Sequence, residues 1–349
     1  MKLGKSLVQL AQELERQARA KRDFTADTRH LQMLPSGELQ IEGESVEVFP
    51  TTQHAQRQIA QRVNIPTRYF TRMRDEAPEL MAHNVNHWFH SHHEQRMVRT
   101  LDGKARAFLS NRYRRLDHYE LAEAVLPVLG DMGEGIKVAS CEVTEQRLYL
   151  KVINERLQLD VKVGDPVQAG IAISNSEIGM GSLTVEPLVY RLVCRNGAIA
   201  KDYGTRKHHV GRAATEDATY ELFSDETLKA DDRAFYLKVQ DTVRAAVKMS
   251  TFSRIVEQMQ AASDRKIEGH PAKAVELTAK VYSLTQGESG GVLSHLIQGG
   301  DLSAYGLLNA ITRTSQDVED YDRATELERI GCDLLTMPAQ KWKALATAN

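Results

Sequence analysis

The chain has 349 residues, 26% charged and 42% hydrophobic, with a formal net charge of −2; this is a globular composition with room for one large domain or two of ordinary size. No run approaches the roughly 18 apolar residues of a membrane span, and the opening MKLGKSLVQLAQELERQ is charged and amphipathic, without the apolar heart of a signal peptide. Cys141, Cys194 and Cys332 stand far apart with no CxxC pair, so they read as reduced, mostly buried thiols of a cytoplasmic protein.

In chain order, Leu7, Leu10, Ala11, Leu14 and Ala18 share one face of a helix over Ser6 to Lys21. Strands follow around Asp27 to Leu34 and Gly37 to Phe49, split by Pro35-Ser36-Gly37. Helices are expected over Thr51 to Val63 with Thr52 as cap, over Pro66 to Arg74 with Pro at the first position, and over Pro78 to Ser91. Trp88 and Phe89 read as packing that third helix into the core. Arg96 to Leu101 and Ala105 to Ser110 form a hairpin across Asp102-Gly103, and Tyr119 to Leu129 is helical. Strands are then expected at Ile136 to Val143, Arg147 to Val152, Val167 to Asn175 and Leu183 to Cys194. Arg195-Asn196-Gly197 reads as a turn. Beyond Asp217 the pattern is helical: Phe223 to Met259 as one helix or two, then Pro271 to Tyr282, Ser303 to Arg313 and Asp320 to Leu335. The Gly-rich Gln286 to Gly291 and Gly299-Gly300 read as loops. The fold class is α+β: an antiparallel sheet with β-hairpins and flanking helices, then a mostly helical C-terminal region, divided as 1–215 and 216–349.

The charge is unevenly distributed. His54 to Arg115 holds twelve Arg/Lys against five Asp/Glu, whereas Ala213 to Asn349 holds fifteen against twenty-one. Two basic segments stand out, MVRTLDGKARAFLSNRYRRLD from Met97 and VYRLVCRNGAIAKDYGTRKHHVGR from Val189. Each mixes cations with Tyr and Asn around a Gly turn, which suits phosphate neutralisation and base stacking. The expected DNA-binding residues are Arg106, Arg112, Tyr113, Arg114 and Arg115 in the first segment, and Arg191, Arg195, Lys201, Tyr203, Arg206, Lys207, His208 and His209 in the second. The loop after Gly197 is expected to face the Arg112 to Arg115 segment, as two walls of one groove.

Catalytic patterns are weak. There is no GxxxxGK[ST] loop for a nucleotide and no GxSxG nucleophile, so neither ATP nor any other cofactor is expected. His83, His87, His90, His92 and His93 form the sharpest metal candidate, with His83 and His87 one helical turn apart but no Glu between them. Cys194 with His208 and His209 reads first as a buried thiol on a strand. Asp317, Glu319, Asp320 and Asp322 read first as a surface ion-pair network with Arg313 and Arg323.

RTLDGKARAFLSNRYRRLDHYELAEAVLPVL, GIAISNSEIGMGSLTVEPLVYRLVCRNG with KHHVG, and YGLLNAITRTSQDVEDYDRATELERIG resemble domain-of-unknown-function family 932, a phage- and plasmid-associated group. The resemblance runs from about Arg57 to Leu335. In outline the hairpins and flanking helices are more distantly similar to phage single-strand annealing recombinases of the Erf and Redβ type. That resemblance implies rings that hold single-stranded DNA in a basic groove without ATP. The helical C-terminal region departs from it.

The expected function is therefore that of a cytoplasmic, non-enzymatic protein that binds single-stranded DNA and promotes annealing in a phage or plasmid recombination system. It is expected to be a homo-oligomer, ring or filament, with a nuclease or single-strand-binding protein as a further partner and no membrane association. Two alternatives stay open: a metal-dependent hydrolase using the His83 to His93 cluster, and a protein-interaction factor that modulates host defence.

Overall fold

Local chemistry sets the first elements. Ser6 caps α1 (Leu7–Ala20): its hydroxyl accepts from the Gln9 N–H, and the Gln9 side chain accepts from the Ser6 N–H. Thr52 caps α2 (Gln53–Arg62), its hydroxyl accepting from the Ala55 N–H. The computed structural model describes residues 1–201, 205–207, 225–246 and 248–348; for 205–207, 225–229, 231–232 and 245–246 it describes the backbone alone. The predicted domain boundary at 215 and 216 lies outside these residues.

The N-terminal part carries two small antiparallel sheets. β1 (Arg22–Asp27), β5 (Gln95–Leu101) and β6 (Lys104–Ser110) form one, in the order β1-β5-β6. β2 (Leu31–Met33), β3 (Glu38–Glu42) and β4 (Val46–Pro50) form the other. Four strands thus stand where two were expected: Asp27 caps a short turn at residues 28–30 that parts β1 from β2, and a second turn at 43–45 parts β3 from β4. Asp102 and Gly103 both take positive φ, 51° and 70°, as the two-residue hairpin turn requires. α2, α3 (Thr67–Glu76) and α4 (Pro78–Ser91) pack against these sheets around Ile59, Phe70, Met81, Phe89 and Phe108.

The larger sheet is an antiparallel meander of β7 (Ile136–Val143), β8 (Leu148–Asp160), β9 (Pro166–Asn175) and β10 (Leu183–Arg191), with β11 (Asn196–Ile199) and β12 (Thr205–Lys207) pairing along the outer edge of β10. Alternation along the strands gives it two different faces. Leu148, Leu150, Val152, Ile171, Ile173, Leu183 and Val185 pack under α1, α5 (His118–Asp131) and α6 (Asp225–Ala246). The opposite face is mixed, with Ile153, Ala172 and Leu188 in an apolar cluster beside a polar region under α11 (Tyr321–Asp333). Lys151 and Glu328 are both 0% exposed and paired at 2.7 Å, with the ammonium also donating to Thr325. Arg329 bonds Glu186 and Ser174, and Tyr149 donates to Asp322. These partners recur along α11 every three or four residues, so one polar helix face is seated on the polar region of the sheet.

The remaining helices are α7 (Met249–Asp264), α8 (Pro271–Tyr282), α9 (Gln286–Gly299), α10 (Ala304–Thr314) and α12 (Ala339–Ala346). They share one apolar cluster with Val167, Ala169, Val189 and Ala198 of the sheet. α9 overturns the expected Gly-rich loop: Thr285 and Glu288 form a capping box, Val292 and Leu296 are buried, and Gly300 ends the helix at φ 66°. Among the described residues no helix is long and apolar enough to cross a membrane.

Candidate nucleic-acid interface

The two basic segments meet the central sheet at opposite ends. Tyr113 follows β6 and donates its hydroxyl to the Ser176 carbonyl, in the loop before Leu183 starts β10. Arg195 lies beyond Arg191, at the other end of that strand. Eight residues of extended chain separate these ends by about 26 Å. The expected single groove with Arg195 as its second wall is therefore corrected. Among the described residues of the second segment, Arg206 and Lys207 return to the first end, since their backbone in β12 pairs with Thr184 and Leu183. They form a strand, not the expected loop.

Most of the cations named from the sequence have internal partners. Arg106 is buried and paired with the buried Glu177. Arg191 makes a two-pronged pair with Asp165, whose second oxygen also accepts from the Tyr305 hydroxyl, and its Nη1 meets Cys194 Sγ at 3.1 Å. Lys201 pairs with Asp333 at 2.9 Å. The Arg114 guanidinium lies 5.2 Å from the centre of the Phe235 ring. Tyr113 packs among Met97, Leu109, Ile178 and Met180, and burial pushes its phenol above the ordinary range; this corrects its expected role as an open stacking ring. Arg106 and Arg191 are likewise structural ion-pair partners, because a guanidinium held this deep needs a carboxylate beside it; the Lys201 pair is partly exposed. Tyr203, His208 and His209 lie outside the described residues.

What the first segment builds inside is a buried polar junction. Arg99, 0% exposed, clasps Asp23 through Nε and Nη2 at 2.9 and 3.1 Å, reaches Asp117 at 2.7 Å and donates to the Glu177 carbonyl at 3.0 Å. Asp117 also takes Lys21. Glu177 accepts from the His118 N–H at 2.7 Å. Burial pushes the Glu177 carboxyl up, but His118, Arg106 and Arg99 together outweigh it and hold the group below the usual carboxylate range. Desolvation holds the His118 imidazole down at about 4, and Asn175 Nδ2 lies 3.1 Å from its Nδ1. The network ties SNRYRRLDH of the first segment to SNSEIGMGS before β10. His54 and Gln58 of α2 add two contacts to the Ile178 carbonyl, at 2.8 and 2.9 Å. Gly181 takes φ 147° here, a conformation that favours glycine.

The junction presents a short exposed edge. Arg112 is exposed, and its guanidinium has no hydrogen-bond or ion-pair partner among the described residues. Arg115 is 51% exposed and only 3.5 Å at its nearest from Asp23. Beside them, Ser110, Asn111 and Arg112 line an open cavity of about 450 Å³ with Glu94 and Gln95. Glu94 is itself taken by Arg62 and Arg96, so cations outnumber the acid at this rim. The sequence reading missed Arg62, Asn111 and Gln95; only Asn111, inside the NRYRR run, carried a signal.

The other candidates resolve differently. Among the described residues no three His, Cys, Asp or Glu side chains gather as metal ligands, and His83, His87, His90, His92 and His93 are exposed along α4 and just after it. Cys194 stands in the turn at 192–195, half-buried, and not on a strand. It shares a side with Arg191 because the turn, with Arg195 at φ 52°, folds back on the strand end. Asn196 and Gly197, expected in that turn, open β11 instead. Asp322 bonds Tyr149 and Thr144, and Arg323 bonds Glu288 and Glu326.

Fold and site together define an α+β protein built on an antiparallel meander whose loop end carries a braced, basic edge. The family model described as a domain of unknown function (DUF932) matches residues 106–331, and the chain belongs to that family. No curated protein and no solved structure matches the chain.

Proposed function

We propose that the protein binds single-stranded nucleic acid along the edge formed by Asn111, Arg112 and Arg115 and by the strand that carries Arg206 and Lys207. The observation that supports this is the contrast within one segment. Arg99 and Arg106 are consumed by buried carboxylates, while Arg112 is left in solvent and Arg115, 51% exposed, keeps a single 3.5 Å contact with Asp23, both on a rigid base. Exposed guanidinium groups on a preorganised edge suit backbone phosphates, and such binding has little base preference.

On this reading the protein promotes annealing of complementary strands without nucleotide hydrolysis. One edge covers only a short stretch of strand. A ring or filament of copies joined head to tail extends it, and a nuclease or single-strand-binding protein supplies or receives the strand.

Titration of a fluorescent dT oligomer by anisotropy tests the reading. Affinity is expected to fall steeply between about 50 and 200 mM salt. Replacing Arg112 and Arg115 together with Ala is expected to weaken binding at least tenfold at low salt and to lower the slope of log K against log salt by roughly two. A folded double variant that keeps wild-type affinity and slope removes this edge from the site.

A further inference from the structure

Trp88 stands outside the core that its neighbour enters. Successive residues on a helix point about 100° apart, so Phe89 fills the interior at 2% exposure while Trp88 is left 40% exposed. This corrects the expectation that both rings pack inward. The indole is also oriented. The His92 ring stacks on it with centroids 5.5 Å apart and planes 14° apart, and His87 meets it edge-on at 5.0 Å and 80°.

The chain leads from this stack directly to the basic edge. Two residues after His92 stands Glu94, bound by Arg62 and Arg96, and Arg96 is paired in register with Ser110. Four extended residues and one strand spacing put Ser110 within about 20 Å of His92. The open cavity lined by Glu94, Gln95, Ser110, Asn111 and Arg112 lies along that path. A strand whose phosphates rest on Arg112 and Arg115 needs only a few nucleotides to reach the indole.

Resting on the single-strand reading above, we propose that Trp88, steadied by His92 and His87, is a stacking platform for an unpaired base of the bound strand. An exposed indole offers a sequence-tolerant π-face. The cations at the cavity rim favour a polyanion over an apolar peptide as the occupant.

The chain has two tryptophans. The other, Trp342, is 7% exposed beneath the Arg265 guanidinium, so emission in a Trp342→Phe variant reports Trp88 alone. Titration with a dT oligomer is expected to quench that emission, whereas an abasic oligomer of equal length binds without quenching. Trp88→Ala is expected to lose about tenfold in affinity for the dT oligomer and none for the abasic one, and Trp88→Phe to retain most of it. Should Trp342→Phe not fold, fluorine NMR of the wild-type chain labelled with 5-fluorotryptophan gives the same reading, with Trp88→Phe assigning the resonance. Tight dT binding with no change at Trp88, or unchanged affinity in Trp88→Ala, overturns the platform and leaves the single-strand reading standing. No binding of either oligomer at low salt overturns both. Quenching by an acidic peptide, with none by dT, assigns the ring to a protein partner and overturns the platform.

Discussion

Replacing Lys151 with methionine is expected to cost about 3–5 kcal/mol of folding stability, because it leaves a buried carboxylate without its cation. Lys151 and Glu328 are wholly buried between β8 and α11, and the ammonium also meets Thr325 and lies 4.6 Å from the centre of the Tyr321 ring. Burial pulls the ammonium below its usual range, and Glu328 opposes that pull. The Glu328 Oε1 atom has no hydrogen-bond partner among the described residues, so the Lys151 contact is the main compensation for the charge. Urea unfolding is the measurement: the midpoint is expected to fall with an unchanged slope. Adding Glu328→Leu to Lys151→Met is expected to recover most of the loss, since an apolar pair of similar volume replaces the ions. A neutral single variant would show that the pair contributes orientation rather than stability.

Arg99→Met is expected to be of similar size, about 3–5 kcal/mol, for the same physical reason. The guanidinium is the common partner of Asp23, Asp117 and the Glu177 carbonyl, so its removal leaves two carboxylates close together with only Lys21 and the 3.5 Å contact of Arg115 to offset them, and takes one tie from the loop ahead of β10. Arg112→Ala, thirteen residues on, is expected to stay within about 0.5 kcal/mol of wild type, because its side chain is exposed and without an ion-pair partner among the described residues. Thermal unfolding and oligonucleotide affinity measured on both variants sort the basic segment into its two jobs. Stability is expected to fall in the first variant and binding in the second. The reverse pattern would place the structural cation at Arg112.

The elements with local signals were legible. Ser6 and Thr52 announce helix starts, Asp102-Gly103 announces the hairpin, and the alternation from Ile136 to Val185 shows a sheet with a buried apolar face. Two local signals misled. The glycines of α9 read as a loop, although the Thr285–Glu288 box and two buried apolar residues decide for helix. Asn196-Gly197 reads as a turn, yet the positive φ falls on Arg195, Asn196 is buried against Thr312, and a Cβ on Gly197 would press on Leu188. Within the site the limit is sharper. Nothing in RAFLSNRYRR tells an arginine bound for Glu177, 71 residues away, from one left in solvent. Periodicity places a side chain on a face; the identity of its partner follows from the long-range path of the chain.

Hydrogen exchange with and without a dT oligomer at low salt tests the central claim most directly, since it reads the whole backbone at once. Slower exchange is expected at residues 110–116 and 176–182 and along β12, with residues 192–196 at the far end of β10 unchanged. Protection confined to the far end, or none anywhere under conditions that saturate binding, would contradict the account.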